Sequence, residues 1–144
     1  MERPVSETPH TLINPAELGA AAGFSHGVLA GPGRALYIAG QVGADDGGAV
    51  VGGGIVAQFD AALGRIVAVV SHAGGASEHV VSMTIYTTVL DDYRSKRGEV
   101  GAAYRRHFGR HFPAMALVGV TELVDPAAVV EISAVAVVPV ATWM

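Results

Sequence analysis

Apolar side chains recur at Ile55, Phe59, Ala62, Leu63, Ile66, Val69 and Val70, three or four positions apart. That spacing puts them on one stripe of a 3.6-residue period and predicts a helix over 55–74, ended by Gly74 and Gly75. A second helix is predicted over 91–112, with Val100, Tyr104 and Phe108 as its buried stripe and Gly109 and Pro113 closing it. Around these helices the period changes. Residues 79–90, HVVSMTIYTTVL, are rich in β-branched side chains and alternate in part, as a strand does. Residues 115–120 and 128–140 are further apolar strands, the last apolar on both faces as suits a central position. Residues 25–43 read as a hairpin folded at Gly31-Pro32-Gly33. The glycine-rich stretch 44–54 reads as a loop, and residues 1–23 as a lead-in, irregular over 1–12 and then carrying a small alanine-rich segment. This order predicts an α+β fold: a mixed five- to six-stranded sheet with two helices on one face. No element is left for the other face, so a second copy of the chain is its simplest cover.

Composition sharpens that picture. At 144 residues the chain is expected to form a single domain, 1–144. Charged residues make up 15% and hydrophobic ones 51%, against roughly 25% charged in an ordinary soluble domain. An oligomer, with part of its surface in interfaces, accommodates that balance. The chain has no cysteine, which excludes disulfides, thiolate nucleophiles and Cys-ligated metals and fits a reducing cytoplasm. Residues 1–15 hold three prolines and no apolar signal segment, and the apolar runs are short, so no membrane is expected. A net charge of -4 argues against nucleic acid as the partner.

Several short motifs fail the test of context. GFSHG, residues 23–27, matches a nucleophile elbow, but a strand follows Ser25 where a helix is required. GGGIVA, residues 52–57, lacks the preceding strand and the later acidic residue of a dinucleotide site and reads as a loop feeding a helix. His107 and His111 are four apart but have no third ligand; no metal is expected, and the pair reads as solvated histidines at a helix end. Six of the nine basic residues fall between Arg94 and Arg110, which reads as the wet face of a helix. Glu131 differs, because it lies in VVEISAVAVV among apolar neighbours. A carboxylate there is costly unless it is hydrogen-bonded, so it either bonds nearby backbone or lines a cleft as an acid/base group.

Six stretches, taken in order, resemble the RidA/YjgF family of small trimeric proteins. They are INP (13–15), YIAGQVG (37–43), AQFDAALGRIVAVVSHAGGASEHVV (57–81), TIYTTVLDDY (84–93), YRRHFGRHFPA (104–114) and VEISAVAV (130–137). The resemblance implies a chorismate-mutase-like fold, a homotrimer with clefts between subunits, and cofactor-free hydrolysis of reactive 2-imino or enamine acids to 2-oxo acids and ammonia. Carried over by position, the family's last-strand glutamate is Glu131, which would position the attacking water. Its Gly-Gln pair is Gly40 and Gln41, and its Pro-Ala pair is Pro113 and Ala114. The substrate-binding arginine that follows is Met115 here, the cleft tyrosine is Phe24, the serine before Gly-Gln is Ala39, a helix asparagine is Gly101, and a frequent cysteine is Leu117.

An arginine at 115 would hold a carboxylate by a two-pronged, charge-assisted fork. Methionine offers a soft apolar wall and no donor. The expectation is an apolar cleft around a retained glutamate, with Gln41 and nearby N–H groups polarising the substrate. It would process a small imine, enamine or carbonyl compound other than an ordinary 2-imino acid, whose turnover should be weak or absent. The alternative is a non-catalytic trimer binding a small hydrophobic metabolite or a partner protein. A ribonuclease activity is disfavoured by the net charge and the lack of paired catalytic histidines.

Overall fold

Helix α1 (Gly54–His72) buries Ile55, Phe59, Ala62, Leu63, Ile66 and Val70, as its spacing predicts, leaving Val69 half-buried. Its end is a Schellman turn: Gly74 adopts φ 83°, its N–H bonds Ser71 O at 3.0 Å, and Gly75 N–H bonds Val70 O at 2.9 Å. Leu63 and Ile66 are fully buried, each contributing about 1.5–3 kcal/mol by leaving water. Among the described helices α1 alone is long and apolar enough to cross a membrane, with 19 residues and a mean hydropathy of 1.5. Here its stripe packs on a sheet instead.

The computed structural model describes residues 7–140. Its strands are β1 (Thr11–Ile13), β2 (Gly27–Leu29), β3 (Arg34–Val42), β4 (Val80–Thr87), β5 (Ala114–Gly119) and β6 (Val130–Val138). Two further helices, α2 (Leu90–Ser95) and α3 (Arg97–Phe108), join β4 to β5. The main sheet has four strands in the order β3-β6-β4-β5; β4 and β5 run parallel, and β6 is antiparallel to both its neighbours. The fold is therefore α+β with a mixed sheet, β6 is central as its two-faced apolarity predicts, and β3 and β5 are the edges.

Three local expectations change. The Gly-Pro-Gly turn does not close a β2–β3 hairpin; β2 pairs antiparallel with β1, so six strands form a four-stranded sheet and a separate two-stranded ribbon. Thr11 and Leu12, expected to be irregular, are thus in a strand. The ribbon is anchored from outside itself: His10 Nε2–H donates to Val137 O at 2.9 Å, Gly31 N–H donates to His10 Nδ1 at 2.9 Å, and Thr8 Oγ1–H donates to Glu78 O at 2.7 Å. The second helix is broken at Lys96, whose φ of -120° leaves the helical region. Beyond the break Val100, Tyr104 and Phe108 are buried as predicted.

Candidate functional site

Strand β6 alternates. Val130, Ile132, Ala134 and Ala136 are buried under the helices, while Glu131, Ser133 and Val135 point to the side no helix covers. Register fixes the surroundings of Glu131, which lies opposite Tyr86 of β4 and Val42 of β3. On β3 the ladder slips between Ile38 and Gln41, a bulge formed by Ala39 and Gly40. The Glu131 side chain crosses the bulge so closely that a Cβ on Gly40 would collide with its Oε2 and sit 2.8 Å from its Cδ. Gly40 has an ordinary negative-φ backbone, so its glycine supplies space and not a special turn. Glu131 is half-buried, and among the described residues its carboxylate makes no hydrogen bond or ion pair. The bond to neighbouring backbone that would make it structural is not formed.

Gln41, expected to polarise the substrate, faces elsewhere. It is in register with core residue Ile132 and therefore turns toward the helix side. Its Oε1 accepts from Arg65 Nε at 3.0 Å and its Nε2 donates to Ala39 O at 3.2 Å. The amide is thus committed to bracing the edge strand against α1. Ala39 is exposed on the bulge.

Met115 and Leu117 also lie on the helix side. Their β4 partners in the parallel ladder are Met83 and Ile85, both in the core, and laterally paired residues share a face. They line a cavity of about 530 Å3 together with Phe24, Val100 and Gly101. Phe24 and Met115 also line a smaller cavity of about 290 Å3 with His26, Ser82 and Thr84. The buried Tyr104, another wall of the larger cavity, donates its hydroxyl to His111 O at 2.6 Å, and burial pushes its phenol pKa up.

Two cations were missed by the pattern reading. Arg97 and Arg105 of α3 line the larger cavity, whereas Arg106 and His107 turn the other way to Asp60 Oδ1, at 3.1 and 2.9 Å. The cleft is therefore apolar on its strand wall and cationic on its helix wall, which corrects the expectation of a wholly apolar pocket. The available signal was spacing: Arg105 follows Gly101 by one helical turn. His26 was missed as well. Its Nε2 is shielded from solvent and has no partner among the described residues.

His107 and His111 do not meet. His107 bonds Asp60, and His111, expected to be solvated, is buried with Nε2–H donating to Val80 O at 2.8 Å. No metal-binding cluster of three or more acidic, histidine or cysteine residues occurs among the described residues. A single chain thus brings together Phe24, Met115 and Leu117 on one face at the β5 edge. It brings Gly40 and Glu131 together on the other face, with β4 lying between β6 and β5.

Comparison with known proteins gives one consistent answer. The family model described as endoribonuclease L-PSP matches residues 14–138. A 2-iminobutanoate/2-iminopropanoate deaminase from Capra hircus is 33% identical over 135 residues, covering 92% of this chain and 93% of the relative. The solved structure of YyfB from Yersinia pestis, a Rid-family protein of unknown function, aligns with a TM-score of 0.80 at 30% identity, covering 90% of this chain and 98% of that one. Rv2704 from Mycobacterium tuberculosis, a member of the YjgF/YER057c/UK114 family, aligns with a TM-score of 0.59 at 34% identity, covering 90% and 99%.

Proposed function

We propose that this chain, which belongs to the RidA/YjgF family, is a cofactor-free hydrolase of a small imine, enamine or related carbonyl compound bound between copies of the chain. One observation carries the reading: the Glu131 carboxylate is held over Gly40 on the uncovered face, while the walls formed by Phe24, Met115 and Leu117 lie on the other face. A second copy docked on the uncovered face would set its own acid against this chain's β5 edge. A closed ring of three such contacts is the arrangement we infer, working in the cytoplasm and needing neither membrane nor nucleic acid.

In this reading the Glu131 carboxylate takes a proton from water as the oxygen attacks the imine carbon. The same proton then passes to nitrogen, giving the neutral carbinolamine; its hydroxyl proton moves through the same carboxylate to the amino nitrogen as the C–N bond breaks, and ammonia and the carbonyl product leave. The balance is one imine and one water in, one carbonyl compound and one ammonia out. Gly40 makes room for the acid, and Gln41 steadies the bulge through Ala39 and Arg65. Met115 offers no donor on the strand wall, and a three-carbon acid fills little of the cavity, so 2-iminopropanoate should be a poor substrate. Ammonia release from freshly generated 2-iminopropanoate, wild type beside Met115→Arg, tests this. The variant should be faster by about 10-fold or more; brisk wild-type turnover would overturn the reading.

The alternative, a non-catalytic binder, is favoured by one feature: within the protomer, none of the residues lining the larger cavity is acidic. It predicts that a bound metabolite raises Tm without being turned over.

A further inference from the structure

The cation that β5 lacks is supplied from α3. We propose that Arg105 is the anion-binding, specificity-determining residue of the cavity beside Met115, and that the ligand is a small carboxylate carrying an apolar or aromatic group. The inference rests on the reading above only in taking this cavity as the ligand site; it does not need Glu131 to be catalytic.

Three observations carry it. First, consecutive residues of α3 diverge. Arg106 and His107 reach across to Asp60 on α1, while Arg105 lines the cavity and is half-buried. Second, Arg105 lies back along its helix over Gly101, one turn earlier. A Cβ on Gly101 would stand 3.3 Å from Arg105 Nη1, closer than an ordinary contact. Helical side chains lean toward the N-terminus, and the missing side chain at 101 lets this guanidinium follow that lean along the cavity wall. Gly101 has no left-handed φ to explain it, and glycine inside a helix is unfavourable by about 0.5–1 kcal/mol relative to alanine. Third, the rest of the wall suits an apolar body, with Phe24, Met115, Leu117, Tyr104 and Phe112 in the lining. The Tyr104 and Phe112 rings stack, with centroids 5.4 Å apart.

A guanidinium above such a wall selects a ligand with two unlike ends. Its planar fork matches a carboxylate in geometry as well as charge, and the apolar end lies against Met115, where an arginine would exclude it. At about 530 Å3 the cavity falls in the range that holds metabolite-sized ligands. It is far roomier than a three-carbon acid needs. The methionine on the strand wall and the arginine on the helix wall together describe a site suited to bulkier acids. Arg97, at the other end of α3 and on the same cavity, adds long-range attraction.

The test is equilibrium titration of the full-length protein with phenylpyruvate, a stable aromatic 2-oxo acid, and with phenylacetone, its neutral counterpart. Wild type should bind the acid more tightly. Arg105→Gln should weaken phenylpyruvate by about 10- to 150-fold and leave phenylacetone unchanged, with Arg105→Lys in between because it keeps the charge and loses the fork. Gly101→Leu, which moves the guanidinium without removing it, should also weaken the acid alone. Arg106→Gln is the control for general charge and should have little effect. Equal losses in Arg105→Gln and Arg106→Gln, an unchanged affinity in Arg105→Gln, or no phenylpyruvate binding by wild type would each overturn the proposal. Glu131→Gln separates the two readings. It should lower turnover by about 100-fold or more while leaving phenylpyruvate binding intact, so failed catalysis with Arg105-dependent binding sinks only the hydrolase.

Discussion

Two corners of the molecule use the same device for opposite charges. At the β3 bulge, Glu131 lies across Gly40; on α3, Arg105 lies across Gly101. Neither glycine has a left-handed φ, so both are explained by the charged side chain that occupies their missing Cβ space. The two crossings differ in tightness. A Cβ at 40 would collide with a carboxylate oxygen and force movement, whereas at 101 it would meet a guanidinium nitrogen at 3.3 Å, which asks for a few tenths of an ångström. The acid is placed narrowly and the cation loosely. That suits an acid that must deliver a proton at one atom and a cation that must only attract and orient.

The first way to break the comparison is to remove the acid while keeping its shape. Glu131→Gln should lower turnover by about 100- to 10,000-fold, the usual range for a general acid/base. The melting curve should barely move, because no hydrogen bond or ion pair among the described residues depends on the charge. Full turnover in this variant, measured by ammonia release, removes Glu131 from the chemistry.

Gly40→Ala tests placement. The new methyl must displace the Glu131 carboxylate, and because that is the free end of a flexible chain the fold should tolerate it. We expect turnover to fall by about 100-fold, the scale of a displacement near 1 Å, with Tm shifted by only a few degrees. A variant that melts early and loses activity in proportion would show that Gly40 serves the sheet and not the acid.

Gly101→Ala is the matched substitution at the other corner. It should weaken phenylpyruvate by about fivefold or less, since the guanidinium can yield. It should also stabilise the helix by about 0.5–1 kcal/mol. A large loss of affinity would mean that the cation is placed as narrowly as the acid.

How much of this was legible in the sequence depends on distance along the chain. The α1 stripe, the Gly74-Gly75 stop and the α3 stripe follow from periods of three and four, and all are local. Gln58 is buried in that stripe without an apolar signal, because its amide bonds Ala127 O and Val129 N from the far side of the fold, at 3.1 and 2.8 Å. The β1–β2 pairing was hidden by a turn sequence that looks like a hairpin. Alternation alone shows that Met115 and Leu117 share a face, but only the register with Met83 and Ile85 shows which one. The same limit hid the separation of Glu131 from Met115. Arg105 read as one more charge on a wet helix, because nothing local says that residue 101 faces a cavity.

Both corners must be assayed above the pH at which the scaffold itself loosens. His111 is buried with its ring bonded to Val80 O, and burial lowers its pKa despite that bond and the nearby Glu78 carboxylate; His10 and His79 lower it further. Burial lowers His79 in the same way, opposed by Glu78 and reinforced by His10. In the unfolded chain each titrates near 6.5. As the pH falls through about 6.5, the unfolded state takes up protons that the folded state resists. The unfolded state then binds more protons, stability rises with pH in this window, and acidification removes it. Melting temperature should therefore be nearly flat from about pH 7 to 8 with respect to these groups and should decline below about 6.5. His111→Gln should lower Tm at pH 7.5, since the imidazole bond to Val80 is lost, and should make the acid-side decline shallower. An unchanged slope in that variant would move the acid limit to other groups. A slope that flattens would show that this buried cluster sets it, so that losses of turnover or binding measured in the variants above pH 7 report on the two corners rather than on the fold.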